Sequence, residues 1–150
     1  MGTDLRGYQA SLRKAVSLSG IGVHTGSEVS ITLHPAEPNT GVIFRRIVGE
    51  GRSVDLAAVV SQVGATDLCT MIGDPSGDHV STIEHIMAAF SALGLDNVIV
   101  EIDGAEVPIM DGSARVFIAA IEEAGIEHHL VKRRYIRVKK NVRVEHAGSW

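Results

Sequence analysis

The chain has 150 residues and a formal net charge of −4 at pH 7, with 45% hydrophobic and 21% charged residues. This composition is ordinary for one globular domain, and its acidic balance gives no electrostatic reason to bind nucleic acid. The single cysteine, Cys69, excludes an internal disulfide and fits a reducing, cytoplasmic compartment. No apolar run approaches the ~20 residues of a membrane span, and the N-terminus lacks the apolar segment of a signal peptide, so we expect no integral membrane segment.

The first half of the chain predicts strands. Residues 10–18 and 27–34 alternate apolar and polar side chains, which is typical of half-buried strands. The glycine-rich stretch 20–26 lies between them. It comes close to a dinucleotide fingerprint, but its third glycine is one residue late and a strand follows, so we interpret it as a tight connection. Strands are also predicted over 41–46 and 66–72, with irregular chain over 47–66.

The second half of the chain predicts two helices, over 82–93 and 114–124, each followed by a glycine in the position of a C-terminal cap. Strands are predicted over 97–102, 135–139 and 141–145. A run of strands followed by helix, strand, helix and strand predicts an α+β domain of two layers.

The stretch Ser81-Thr82-Ile83-Glu84-His85 places a carboxylate and an imidazole side by side at the start of the first helix. One interpretation is structural, because Ser81 followed by Glu84 three residues later forms a capping box. The other is chemical, because this pair allows one zinc ligand and one general base. The partial positive charge of a helix N-terminus keeps an imidazole neutral and able to ligate, and it favours an anion nearby.

Other polar residues have open interpretations. Asp111 precedes the second helix and either satisfies backbone donors of the turn or supports the Glu84–His85 region from behind. His24, His34 and His79 are isolated in sequence, and any of them is a candidate neighbour of His85 in space. The basic segment 132–140 contains alternating apolar residues, which favours a solvated strand face over a phosphate-binding edge.

Six stretches in a fixed order resemble one family. They are GIGVHTG (20–26), NTGVIFRR (39–46), LCT (68–70), STIEH (81–85), GLDN (94–97) and PIMDGS (108–113). As a set they resemble the UDP-3-O-acyl-N-acetylglucosamine deacetylases, the zinc amidases of lipid A biosynthesis in Gram-negative bacteria. The resemblance covers essentially the whole chain, but only the first half of the family's enzyme.

The resemblance implies a fold and a division of labour. The fold is a two-layer sandwich of a mixed β-sheet packed on two helices, one copy of a fold that the family repeats twice. Residues 1–150 are then the N-terminal domain, and a second domain lies outside this chain. Glu84 matches the general base and His85 one of three ligands of Zn2+. The other two zinc ligands come from an H-x-x-x-D motif of the second domain, which this chain lacks.

The same resemblance implies that Leu68, Cys69 and Thr70 lie along the catalytic cleft that receives UDP-3-O-acyl-N-acetylglucosamine. Because two zinc ligands are missing, the 150 residues alone are expected to be inactive. The alternative hypothesis is a non-catalytic domain for folding or interaction, in which Glu84 acts only as a helix cap.

Overall fold

The computed structural model describes residues 5, 7–49 and 51–145. The α-helices are α1 (Glu84–Leu93) and α2 (Arg115–Ala124). The strands are β1 (Tyr8–Leu12), β2 (Val16–Ile21), β3 (Glu28–Pro35), β4 (Val42–Gly49), β5 (Arg52–Ala57), β6 (Val63–Ala65), β7 (Met71–Gly73), β8 (His79–Val80), β9 (Val98–Ile102) and β10 (Ile126–Lys132). A single 3-10 turn, Val60–Gln62, precedes β6.

Five strands form the central sheet in the order β2-β3-β9-β4-β5. Strands β2 and β3 make an antiparallel hairpin, as do β4 and β5, and β9 is inserted between the two hairpins. Strand β9 runs antiparallel to β3 and parallel to β4, so Val100 lies opposite both Leu33 and Phe44. The sheet is therefore mixed, as the resemblance implies.

The two faces of this sheet differ in polarity. Alternate residues of β3 and β9 are buried in the core, together with side chains of α1 and α2. All three phenylalanines of the chain belong to this core, at Phe44, Phe90 and Phe117. The opposite face carries polar cross-strand neighbours, which include the Arg45–Asp55 ion pair at 2.8 Å. One buried and one polar face is the pattern of a two-layer α+β domain, which confirms the predicted fold class.

A buried polar cluster fastens the edge of the domain around Asn97. The Asn97 Nδ2 donates to Gln9 Oε1 at 3.0 Å, and the Gly41 N–H donates to Asn97 Oδ1 at 3.1 Å. Gln9 also accepts from the Asn39 N–H at 2.8 Å. The cluster joins β1, the turn before β4 and the start of β9, so the GLDN stretch has a structural role in this fold.

Several predicted elements need correction. The stretch 10–18 is two strands, because the chain turns at 13–15 and β1 pairs with β10 while β2 pairs with β3. Residues 47–66 contain β5 and β6, and the strand predicted over 66–72 is reduced to β7. Residues 135–139 and 141–145 form no strand, because no other strand pairs with them in the part of the chain described. The basic segment is therefore solvated, as predicted, but is not a strand beyond Lys132, and Ile136 is 98% exposed.

Within the described residues, neither helix combines the length and apolar character needed to cross a bilayer.

Candidate active site

Glu84 and His85 occupy the first turn of α1, where the polypeptide leaves β8 and turns into the helix. Both side chains are half-buried. The Thr70 N–H donates to Glu84 Oε2 at 3.1 Å, and the Ile83 N–H donates to the Thr70 carbonyl at 3.4 Å. These two bonds hold residue 70 against the helix start and fix one oxygen of the Glu84 carboxylate.

The capping-box interpretation of Ser81 and Glu84 is wrong. The residue before the helix is Ile83, which makes no side-chain cap, and α1 begins at Glu84 itself. The Ser81 hydroxyl donates instead to the Ala105 carbonyl at 3.2 Å. Because Ser81 pairs with residues 105–107 in a short β-bridge, its hydroxyl is not available to the helix. The Glu84 carboxylate therefore binds the neighbouring 68–70 segment rather than its own helix end.

The imidazole of His85 has a ring nitrogen without a partner. Its Nδ1 is buried and makes no hydrogen bond with the described residues. A buried imidazole nitrogen normally donates or accepts a hydrogen bond, so an Nδ1 without one calls for an explanation. Neutral imidazole is a good zinc ligand. The residue type, its position and its free hydrogen-bonding capacity all fit a single zinc ligand.

The segment that faces Glu84 has an unusual backbone. Leu68 has φ +61° and is 91% exposed, a combination that neither backbone preference nor burial favours. Cys69 follows as a half-buried free thiol, and Thr70 makes the contacts with α1 described above. Strained, exposed apolar residues are found where a surface is shaped to meet a ligand or another surface.

Asp111 is explained by its own turn. Its Oδ1 accepts from the Ser113 N–H at 3.0 Å and from the Ser113 hydroxyl at 2.8 Å. Its Oδ2 lies 3.4 Å from the Arg115 guanidinium. These bonds, to Ser113 above all, hold the pKa of Asp111 below its ordinary value. The turn interpretation is confirmed, whereas support of Glu84 and His85 stays a prediction.

The isolated histidines have other surroundings. His34 lies on β3 with its Nε2 3.9 Å from the Glu101 carboxylate, and His79 Nδ1 lies 3.0 Å from the Gly77 carbonyl oxygen. His24 belongs to the connection between β2 and β3, where its N–H donates to a carboxylate. Among residues 5, 7–49 and 51–145, no three His, Cys, Asp or Glu side chains are grouped to hold a metal ion.

The carboxylate that His24 contacts belongs to Glu106, a residue that the sequence analysis missed. Glu106 is only 2% exposed, and it accepts from the N–H groups of His24 and Thr25 at 3.0 and 2.9 Å. It also accepts from the Thr82 hydroxyl at 3.0 Å. The available signal was an acidic residue in the otherwise apolar run from Ala105 to Ile109.

The hydrogen bonds decide the ionisation of Glu106. Burial, the largest influence, raises the pKa of this carboxyl, while the donors from His24, Thr25 and Thr82 lower it. The donors together prevail, so the pKa lies below its ordinary value. Glu106 is thus a buried carboxylate held in its charged form.

Comparison with known families agrees with this arrangement of motifs. The family model described as LpxC, UDP-3-O-acyl N-acetylglycosamine deacetylase, matches residues 9–150. The chain belongs to this family. The family indicated by the six motifs is therefore confirmed.

Curated relatives from the LpxC family support the same assignment. The proteins of Brucella ovis and Brucella abortus named UDP-3-O-acyl-N-acetylglucosamine deacetylase are each 48% identical to this chain over 146 residues. The protein of that name from Brucella melitensis is 47% identical over the same length. These matches cover 97% of this chain and 50% of each relative. The chain spans about half the length of the curated relatives it matches.

Proposed function

We propose that this chain is the N-terminal half of a zinc-dependent deacetylase that removes the acetyl group of UDP-3-O-acyl-N-acetylglucosamine. In this proposal Glu84 is the general base and His85 is one zinc ligand. The observation that carries the proposal is the first turn of α1, where a carboxylate held by the Thr70 N–H adjoins an imidazole with a buried, unpartnered Nδ1. The deacetylase name of the relatives supplies the substrate class.

The proposal requires zinc ligands from outside this chain. A catalytic zinc site has three protein ligands and one open position. His85 supplies one, and the residues described here contain no group of three metal-binding side chains. Since the chain spans half the length of its relatives, a second domain is the natural source of the other ligands. We also propose that this domain repeats the fold described here and completes the substrate cleft.

The residues of this chain have distinct tasks in amide hydrolysis. A bound zinc ion supplies Lewis acidity toward water and toward the amide carbonyl. Glu84 accepts a proton from the attacking water. The Thr70 N–H orients the Glu84 carboxylate by donating a hydrogen bond to its Oε2. Its other oxygen, Oε1, has no described hydrogen-bond partner and is the one we assign to the proton transfer. The positive end of α1 stabilises negative charge that develops beside His85.

The 68–70 segment is proposed to line the substrate cleft. Thr70 is bonded to Glu84, so its neighbours Leu68 and Cys69 lie close in sequence to the proposed base. The exposed Leu68 side chain offers an apolar surface to the sugar or to the acyl chain. The lone cysteine agrees with a reducing, cytoplasmic location for this activity.

The test is deacetylation of UDP-3-O-acyl-N-acetylglucosamine by the full-length gene product. We expect Glu84→Ala to lower kcat by about 10²–10⁴-fold, the range attributed to a general base, while the bound zinc stays near one ion per chain. His85→Ala is expected to lose both zinc and activity. Glu122→Ala is a matched control, because Glu122 is an exposed carboxylate on α2.

Each outcome separates the proposal from its alternative. Near-normal turnover by Glu84→Ala would refute the role of Glu84 as base. Zinc bound as tightly after His85→Ala would refute its role as a ligand. If both variants behaved like the Glu122→Ala control, the chain would be a domain for folding or interaction. Robust deacetylation by the 150 residues alone would overturn the two-domain account.

A further inference from the structure

Glu106 connects two residues that lie 57 positions apart in the sequence, Thr25 of the glycine-rich connection 22–26 and Thr82 of the STIEH stretch 81–85. We propose that Glu106 is a positioning residue of the active site, which sets the orientation of Glu84 and His85 through Thr82. This inference rests on the proposed function of those two residues. Glu106 itself takes no part in proton transfer, because its carboxylate is buried among donors of the protein.

One side of Glu106 holds the connection between β2 and β3. Its two oxygens accept separately from the consecutive N–H groups of His24 and Thr25. The Gly22 position has no room for a side chain, because a Cβ there would overlap both the Glu106 carboxylate and the Thr25 hydroxyl. The glycine in this motif is therefore explained by the close approach of Glu106 to the backbone.

The other side of Glu106 holds the chain at the entry to α1. Thr82 is 3% exposed and has φ +57°, a left-handed conformation that a β-branched residue rarely adopts. Its hydroxyl donates to Glu106 Oε1 at 3.0 Å. The preceding residue, Ser81, is bonded through its backbone N–H to Ala105 and through its carbonyl to the Val107 N–H. Glu106 thus lies at the centre of the contacts that keep Thr82 in this conformation.

The position of Thr82 determines where the helix starts. Thr82 has its left-handed backbone two residues before Glu84, so a change in this one φ angle would redirect the first turn of α1. A displacement of about 1 Å of a catalytic group can cost about 10²-fold in rate. Strain of this kind persists only where surrounding contacts enforce it, and it concentrates at functional sites.

Two matched substitutions test the inference in the full-length protein, assayed with zinc in excess. Glu106→Gln replaces an acceptor oxygen by an amide donor, and Thr82→Val removes the hydroxyl that donates to Glu106. We expect both to lower kcat by about 10-fold or more while KM changes less than about twofold, the pattern of impaired transition-state stabilisation. Thr82→Ser keeps the hydroxyl and is expected to lose much less than Thr82→Val.

A second readout follows the Glu84 carboxylate directly. Hydrogen exchange at the Thr70 amide reports its bond to Glu84 Oε2. We expect this amide to exchange faster in Glu106→Gln and Thr82→Val, relative to the core strand β9. Glu101→Gln is the control, because Glu101 is a half-exposed carboxylate on β9 that faces away from the core.

The outcomes distinguish this inference from the proposed function. If Glu84→Ala abolishes deacetylation but Glu106→Gln and Thr82→Val keep normal kcat and normal exchange at Thr70, only the positioning role is refuted. If Glu84→Ala remains active, the proposed function itself fails. If Glu106→Gln does not fold, Thr82→Val decides alone, and equal kcat for Thr82→Val and Thr82→Ser overturns the inference.

Discussion

Replacement of Asn97 by alanine should destabilise this domain markedly, although Asn97 is remote in sequence from the proposed base. The Asn97 side chain is 1% exposed and makes two hydrogen bonds, to Gln9 and to the Gly41 N–H. Loss of the bond to Gln9 costs about 1 kcal/mol, the usual net value of a hydrogen bond. The Gly41 N–H loses its acceptor at a half-buried position, which costs about another 1–3 kcal/mol. The expected loss in the free energy of unfolding is therefore about 2–4 kcal/mol.

Urea unfolding of the chain and of Asn97→Ala measures this loss, provided that the slope with denaturant is unchanged. Ser17→Ala is the control, because the Ser17 hydroxyl lies 2.9 Å from the Thr32 hydroxyl on the exposed face of the sheet. That variant should differ by less than about 0.5 kcal/mol. A double-mutant cycle with Gln9→Ala should show coupling of at least about 0.5 kcal/mol. A loss below about 0.5 kcal/mol for Asn97→Ala would refute the importance of the buried cluster.

Two further predictions concern stability. The pKa of Glu106 lies below its ordinary value of 4.5. The contribution of its ionised carboxylate to the free energy of unfolding is therefore fully present above pH 4.5, and it is lost as the pH falls through the folded-state pKa. The difference in urea midpoint between wild type and Glu106→Gln should therefore narrow as the pH is lowered below 4.5, and a difference that stays constant would contradict this linkage. Ile86→Ala, at a fully buried position of α1, should lower the free energy of unfolding by about 2–5 kcal/mol. Met87→Ala, at a half-buried position of the same helix, is the control, and an equal or smaller loss for Ile86→Ala than for Met87→Ala would contradict the assigned core.

The sequence predicted best those elements whose burial is periodic. The alternation over 27–34 gave β3 within one residue at each end, and α1 and α2 lie within their predicted ranges. Gly94 has φ +67° and ends α1, as its position after the apolar helix predicts. In these cases a local pattern and the tertiary environment impose the same structure.

The errors arose where pairing rather than pattern decides the structure. Residues 135–139 and 141–145 alternate like strands but pair with no other strand in the described part of the chain, and alternation alone supplies no hydrogen bonds to the backbone. Strand β5 lies at the edge of the sheet and is largely exposed, so its apolar signal is weak. The stretch 10–18 kept its alternation through a turn that sends its two halves to different sheets.

The candidate site was only partly visible in the sequence. The Glu84–His85 pair was found from its position at a helix start, but its partner Thr70 depends on a contact across 14 residues. Glu106 was missed because one acidic residue in an apolar run has no motif of its own. Its importance becomes visible only when the fold brings it to Thr25 and Thr82.

The central claim is that this chain carries one ligand of a zinc site that other residues complete. Calorimetric titration of zinc into the full-length protein, the 150-residue chain and the His85→Ala variant of each tests it most directly. The account predicts tight one-to-one binding by the full-length protein that His85→Ala abolishes, and only weak binding by the 150-residue chain. Tight one-to-one binding by the 150 residues, or binding by the full-length protein that is indifferent to His85, would contradict it.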